Sequence, residues 1–561
     1  MNIIRDLPPI LSKKDWCAID LELFEAKKSK LHRPTTGKFA CLTFCYNEED
    51  VYIITDKTQV QEALDRVDQA VWIFHNAKFD ITHLRRWADV PYRARIWDTL
   101  LIDRILWGGY YNLFALNDLA RRYLDMEIDK DIKSRFENAT TLDKELIKYS
   151  AIDPFITRKI CKKQYKLAKS NAIKIWKEVD RDAMWAFIDM MPVRIDIDKW
   201  TGIANKNEKT TKELAEQFEF NPRSSIQTKK YLSKNGFPRL RNTQEKTLLA
   251  RLTNPKQATT KAGKITKQLL QYRKIQKRSS TYGKNWIKNY VEEDDKIYSD
   301  YKVIGAETGR TSSSRPNMQN IPGRATPVYR ECFIPHPGHK MLIVDMGQQE
   351  ARIAAYLSQD KKLIHLFTQT DKDIFIEMAK LIYNVKITKS NPLRKQIKNI
   401  VYGLTYGMSP EGFTDRYGGT ITDAEKAFND FFNVFPTLAS FLHIQSLKKQ
   451  SVSTIMGRKM YLNEYSNQVE RNAKNSPIQG TAADQQKVAI GRIYKKWNEQ
   501  FDFPFSLIMF VHDELVFSVP EDKVEKVKDF VVKEMIQAAE EQCPGVPFIA
   551  EAKIGSNWSI K

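Results

Sequence analysis

Two apolar runs of this 561-residue chain end abruptly on acidic groups, and that conflict narrows what the chain can fold into. MLIVD (341–345) reads as a strand that closes on Asp345. LIMFVHDELVFSV (507–519) reads as strand on both sides of His512, Asp513 and Glu514. An ionised carboxylate taken out of water without a partner is strongly unfavourable. The second run is therefore either a hairpin with an exposed acidic turn, or a strand turn on which positive charge sits. Asp345 reads equally as the cap of the helix expected after it. If the two acidic ends meet, they can hold a pair of divalent cations, which activate an attacking hydroxyl and steady a leaving phosphate oxygen. Magnesium suits such a site because it takes one or two protein carboxylates and completes its shell with substrate phosphates and water. Two ions per site are expected, with manganese as a substitute.

Between the two runs lies NPLRKQIKNIVYGLTYGMSP (391–410), where Arg394, Lys398, Tyr402 and Tyr406 recur every four residues. On a helix each such step rises about 6 Å and turns about 40°. One face then carries two cations followed by two aromatic rings, the dimensions of a nucleoside triphosphate laid lengthwise. Gly407, Ser409 and Pro410 supply a stop. An amphipathic helix with chance polar residues explains any two of these positions but not all four.

Charge points the same way. Lys and Arg number 90 against 69 acidic residues, a net charge of +21 that suits a polyanionic partner. Residues 201–290 hold 21 Lys and Arg, five Glu and no Asp. There Tyr272, Tyr282, Trp286 and Tyr290 interleave with Arg273, Lys274, Lys277, Arg278 and Lys284, a pattern that favours phosphate-backbone binding over a merely solvated surface. The six cysteines form no CxxC pair, so buried thiols in a reducing compartment are expected. Neither a signal peptide nor a bilayer-spanning run is evident, which predicts a soluble, cytoplasmic protein without a membrane partner. No GxxxxGK[ST] occurs, which argues against a helicase-type ATPase.

Near the N-terminus, CAIDLEL places Asp20 and Glu22 on one face of a strand. HNAKFD adds Asp80 after another strand, and YSAID adds Tyr149 and Asp153 one helical turn apart. Four carboxylates and a phenol suit a hydrolytic two-metal site in which the tyrosine orients the attacking water. Strands are predicted at 16–23, 51–55 and 71–74, and helical periodicity from about 112 to 190.

On these residues the chain resembles the family A DNA polymerases. Asp345 lies in a relative of the family's first palm motif, and Val511-His512-Asp513-Glu514 matches the second. The Arg-x3-Lys-x3-Tyr-x3-Tyr-Gly pattern matches the fingers helix. EtGRtSSSrPNmQNIP (307–322), tiMGRkmYL (454–462) and ERnAkNSPIQGTAAD (470–484) match further motifs. The N-terminal order DxE, NxxFD, YxxxD resembles the family's DEDD-type 3′–5′ exonuclease.

The resemblance implies an α/β, RNase H-like exonuclease domain (1–180) followed by a right-hand polymerase. Its parts are a helical thumb (181–300), an α+β palm (301–350 and 436–561) and helical fingers (351–435). It implies that Asp345 and Asp513 ligate magnesium with Glu514 in support, and that Asp20, Glu22, Asp80 and Asp153 ligate it in the exonuclease. Arg394 and Lys398 would bind the triphosphate, and Lys398 would protonate departing pyrophosphate. Tyr402 would pack on the nucleotide and Tyr406 near the templating base. Glu350 would exclude a ribose 2′-hydroxyl, with Gln348 beside the nucleotide.

The resemblance also assigns DNA contacts to Arg310, Asn317, Gln319, Asn320, Arg471, Asn475 and Gln479, and to Arg273 and Lys277 in the thumb. His512 would contact the primer terminus, or is a structural histidine. Donors aimed at minor-groove acceptors, which all correct pairs share, test pairing geometry without reading sequence. Primer-template DNA and deoxynucleoside triphosphates (dNTPs) are the expected partners of a monomer in DNA replication. A processivity partner is left open, and a phage or other small replicon suits so lean a chain.

There are departures. Met346-Gly347 and Gln349 stand where the family has Tyr-Ser and an aliphatic residue. Phe375 replaces a triphosphate-contacting His. Tyr402 stands where many members have Phe, which implies weak discrimination against 3′-deoxy terminators. A single-subunit RNA polymerase shares palm and fingers, but Glu350 and the exonuclease motifs oppose it. A DNA-binding relic would have lost carboxylates, and none is missing.

Overall fold

In the computed structural model of the chain, all residues are described except 28, 129, 130, 293, 324, 325, 370, 371, 406 and 561. They divide into two compact units. One comprises Met1–Met191, Tyr298–Asn320 and Gly338–Ile554, and the other Pro192–Ile297, Ile321–Pro337 and Gly555–Lys561.

The first unit begins with a six-stranded mixed sheet in the order Asn2–Ile4, Asp50–Ile54, Lys38–Cys45, Trp16–Phe24, Val71–Phe74, Ile96–Asp98. The central strand Trp16–Phe24 is buried along most of its length on both faces, and its Cys17, Ala18, Ile19 and Leu21 are almost wholly buried. Such continuous burial is what a strand covered on both sides requires. The helix Lys144–Leu167 packs on this strand and on Lys38–Cys45, started by Asp143, whose side chain accepts from the Glu145 and Leu146 amides.

A second sheet in the same unit has the order Leu507–Val511, Glu514–Pro520, His339–Met346, Ala550–Gly555. The helix Val524–Gln542 packs on its strands His339–Met346 and Glu514–Pro520, and Trp497 of the long helix Val469–Gln500 stacks on Phe517 at 5.8 Å. Between His339–Met346 and this long helix the chain is helical, including Gln349–Ser358, Ile374–Tyr383 and Pro392–Thr405, until a short hairpin of Ser451–Ser453 and Lys459–Tyr461. Four charges are buried together within the unit. Asp180 accepts from Arg458 Nη2 (2.8 Å) and from Lys487 Nζ, and Arg458 Nε donates to Asp484 (2.7 Å). Burial disfavours charge on Arg458, but the two flanking aspartates outweigh it and raise its pKa. The hairpin bearing Arg458 closes tightly on the N-terminal module. Tyr461 N donates to Gly108 O (2.9 Å), and a Cβ at Gly109 (φ +84°) would lie 2.3 Å from the Tyr461 carbonyl oxygen.

The second unit is built on the helices Ile197–Glu216 and Lys261–Thr281 and a small sheet of Phe333–Ile334, Val193–Ile195 and Lys296–Ile297. Its aromatic residues are turned inward, away from the basic groups they alternate with in sequence. Tyr272 and Trp286 are buried, Trp286 stacks on Trp200 at 4.2 Å, and Tyr282 packs edge-on against Trp200. Helical spacing sorts them: rings face the core and lysines such as Lys274 and Lys277 face water.

All six cysteines are buried and unpaired. Among the described residues no helix is long and apolar enough to cross a membrane.

Candidate active sites

Two clusters of carboxylates lie in the first unit. The N-terminal one grows from strand periodicity. Asp20 and Glu22 are two residues apart and share a face of Trp16–Phe24, and Asp153 reaches them from the helix packed on that face. Ligand atoms of Asp20, Glu22 and Asp153 lie within 4.8 Å of one another. A register shift between Glu22 and Leu23 bends the strand where the acids project. The site opens into a cavity of about 520 Å³ lined also by Asn76, Asp80, Glu137 and Tyr149. Tyr149 sits one turn before Asp153 on the same helix. Asp80 belongs to the cavity but is turned toward the strand, its Oδ1 accepting from Leu21 N at 3.1 Å.

Asp98 was not anticipated. Its carboxylate accepts from the amides of Asn76 (3.3 Å), Ala77 (2.8 Å), Leu100 (2.9 Å) and Leu101 (3.0 Å), so one acid anchors the starts of two helices. Burial pushes its pKa up to about 6 against the pull of those amides. Asn76, with φ +77°, makes the turn that carries Asp80 into the cavity. The only hint in the sequence was an Asp directly ahead of a helical run, a capping signal rather than a catalytic one.

The C-terminal cluster forms by strand pairing. His339–Met346 runs antiparallel to Glu514–Pro520 with Asp345 opposite Glu514. Leu507–Val511 closes the hairpin with Val511 opposite Glu514, so His512 and Asp513 form the turn. Met346 N donates to the Asp513 carbonyl at 3.3 Å, which brings the two chain segments together at the acids. Glu514 is buried, Asp345 and Asp513 half-buried, and His512 exposed with φ +59°.

Gln349 explains itself here. Its Nε2 donates to Gln485 Oε1 (2.8 Å), its Oε1 accepts from Gln486 (3.3 Å), and Gln486 donates in turn to the Asp513 carbonyl (3.4 Å). A buried amide chain thus ties the acidic turn to the long helix, where the family's aliphatic residue could not. Gln348 makes the turn into the next helix with φ +52°. Glu350, in the first turn of that helix, is ion-paired with Arg310.

On Pro392–Thr405 the cationic face is present. Arg394 Nε and Nη2 donate to Asp373 Oδ2 at 2.9 and 2.6 Å. The Phe375 ring lies 5.6 Å from the Arg394 guanidinium and 5.7 Å from Lys398 Nζ, and Tyr402 is 5.7 Å from Lys398. The ring that replaces the expected histidine therefore touches both cations through its π face. Tyr406 lies outside the described residues. Ser409 and Pro410 do more than stop this helix, since Ser409 caps the helix Pro410–Tyr417 that follows.

Arg471, Asn475 and Gln479 lie four apart along Val469–Gln500, exposed or half-buried. Asn317 Oδ1 accepts from Ser313 (3.2 Å) and the Gln319 amide (3.0 Å), and Gln319 Nε2 donates to Thr311 O (3.4 Å), so both brace the loop that ends at Asn320. In the second unit Arg273 donates to Thr243, while Lys277 is exposed.

The geometry is matched by likeness to known proteins. A family model described as DNA polymerase family A matches residues 198–560, and one described as 3′-5′ exonuclease matches residues 11–167. DNA polymerase I of Pseudomonas aeruginosa is 34% identical over 307 residues, 52% of this chain but 33% of that protein. The chain thus spans about a third of that relative's length, and it spans 48% of the Thermus aquaticus protein. DNA polymerase I of Aquifex aeolicus is 26% identical, with 94% of this chain and 95% of that protein covered. A solved structure, the POL domain of Pol1 from M. smegmatis in complex with DNA primer-template and dNTP, matches in fold. Its TM-score is 0.84 at 22% identity, over 99% of each chain.

Proposed function

The chain belongs to DNA polymerase family A, and from that premise we propose that it extends a DNA primer on a template and trims the primer's 3′ end at a second centre. The observation that carries this reading is the strand pairing that sets Asp345 opposite Glu514, with Met346 N bonded to the Asp513 carbonyl. Acids from segments far apart in sequence converge on one sheet end, and the helix bearing Arg394, Lys398 and Tyr402 packs on Gln349–Ser358, the helix that follows that end.

Both clusters consist of carboxylate oxygens, the hard donors that magnesium and manganese take. Asp345 and Asp513 would hold the ions of the synthetic centre, and Asp20, Glu22, Asp80 and Asp153 those of the excising one. When bound, such ions acidify the attacking hydroxyl or water and offset the charge on the leaving oxygen. The chain's own groups do the rest. Arg394 and Lys398 bind the triphosphate, and Lys398 gives a proton to the departing pyrophosphate. Tyr402 packs on the incoming nucleotide, and Glu350 closes the space a 2′-hydroxyl would need. Arg310, Arg471, Asn475 and Gln479 follow the primer-template minor groove. In the N-terminal cavity Tyr149 holds the attacking water in line.

In this reading residues 1–180 are the exonuclease, 181–300 the thumb, 301–350 and 436–561 the palm, and 351–435 the fingers. The enzyme acts as a monomer in the cytoplasm, on primer-template DNA and dNTPs, in replication. The direct test is a labelled primer-template incubated with magnesium, with and without dNTPs. Extension with dNTPs and 3′ shortening without them are expected, both lost on chelation. Magnesium-dependent shortening without extension would overturn the synthetic half.

A further inference from the structure

We infer that Asp373 is a positioning residue that aims Arg394 at the phosphates of an incoming nucleotide. The inference rests on the polymerase reading above and concerns a residue that reading leaves unassigned.

Asp373 divides its two oxygens between two tasks. Oδ1 accepts from the amides of Phe375 (3.1 Å) and Ile376 (3.3 Å), which caps the helix Ile374–Tyr383 and fixes the carboxylate in place. Oδ2 takes Nε and Nη2 of Arg394, one edge of its guanidinium, at 2.9 and 2.6 Å. The remaining nitrogen, Nη1, is engaged by no described residue, and the side chain is about a quarter exposed, which leaves that nitrogen to a phosphate oxygen.

Phe375, two residues further on and buried, supports the same guanidinium at 5.6 Å and the Lys398 ammonium at 5.7 Å. One helix start therefore supplies both an anchoring acid and a ring to the cationic face. Burial works against charge on Asp373, but the bonds from Arg394 and the two amides hold its carboxyl below the usual range. A long side chain held this way surrenders little rotamer freedom when the substrate arrives, which is where preorganised groups gain their advantage.

The measurement is nucleotide-dependent primer extension by wild type, Asp373→Asn, Asp373→Ser, Arg394→Ala and the double variant Asp373→Asn/Arg394→Ala. Asn and Ser both cap helices, so they keep the fold of the helix start and remove only the charge that holds Arg394. Both are expected to raise KM for the dNTP by about tenfold or more, the effect of losing one charge-assisted hydrogen bond. The expected change in kcat is smaller, and primer-template affinity and melting temperature should not move. Asp373→Asn should add nothing to Arg394→Ala, because the acid acts only through that arginine.

A wild-type or lower KM for Asp373→Asn, beside a raised KM for Arg394→Ala, would mean that the acid is idle or competes with the substrate, and overturns the proposal. So would losses that multiply in the double variant. If Arg394→Ala leaves KM unchanged, the role of Arg394 falls and the role of Asp373 with it. A wild-type protein that extends no primer at all overturns the polymerase reading instead.

Discussion

The two carboxylate centres are assembled in different ways. In the N-terminal one, a strand and the helix packed on it bring ligand atoms of Asp20, Glu22 and Asp153 within 4.8 Å, with Asp80 and Tyr149 lining the same cavity. The C-terminal one has its acids at a strand end and a two-residue turn. Cations proposed to meet substrate there are already engaged by acids, Arg394 by Asp373 and Arg310 by Glu350. A hydrolytic centre needs its acids and water, so it can stand complete. On the proposed reading the synthetic centre must also receive a triphosphate and a paired primer, and the internal acids would keep its cations in line until then. The proposed cutting centre is thus built into one small module, whereas the proposed joining centre is spread over several elements.

The sharpest way to break this comparison is to disable each centre alone. Asp513→Asn should lower primer extension by at least about a thousandfold, the scale on which loss of a charge-stabilising group acts, while leaving 3′ excision intact. Asp20→Ala should do the reverse. If either change removes both activities, the centres are not independent.

A second change should weaken the unit that carries both centres without touching either. Arg458→Met removes a partner from Asp180 and Asp484 where all these side chains are buried. Leaving buried charge uncompensated costs about 3–5 kcal/mol. A melting temperature several degrees lower is expected, with both activities intact below it. An unchanged melting temperature would show that the cluster does not hold these segments together.

On the synthetic side alone, Tyr402 predicts nearly equal incorporation of a dideoxynucleotide and its deoxy counterpart. Tyr402→Phe should then favour the deoxy form by about tenfold, as expected for loss of one hydroxyl bond. A thousandfold preference in the wild type would refute the reading of Tyr402.

The smallest effect belongs to the N-terminal module. Burial, aided by the nearby Arg315 charge, depresses the His32 pKa from 6.5 to about 4. Between those values the unfolded chain binds the proton and the folded one does not, so stability falls as pH drops from 6.5 towards 4. Asp98, raised to about 6, acts in the opposite sense, its contribution being lost as pH rises through that value. Comparing urea unfolding of wild type with His32→Asn isolates the histidine. The variant should lose less stability across this window, and equal losses would place His32 outside the buried environment.

Much of this was legible in the sequence because apolar runs closing on acids violate burial so plainly. MLIVD and LIMFVHDELVFSV became paired strands, and the fourfold spacing of Arg394, Lys398 and Tyr402 became a helix face. Lys38–Cys45 was not read as a strand, since it is buried along most of its length and shows no alternation to reveal it. The inward placement of Tyr272 and Trp286 among the lysines of residues 201–290 was not legible, because composition does not say which side of a helix a ring occupies. Asp180, Arg458 and Lys487 could not have been matched either: their bonds span 278 and 307 residues of chain, and nothing local marks a charge for burial.

The backbone at His512 limits the residues that position can tolerate. With φ +59°, it favours glycine, asparagine, aspartate or histidine over anything branched at Cβ. A valine or isoleucine there would have to untwist the hairpin and drag Asp513 away from Asp345. Saturation mutagenesis at this codon should therefore return a short alphabet chosen by conformation, whatever the imidazole does.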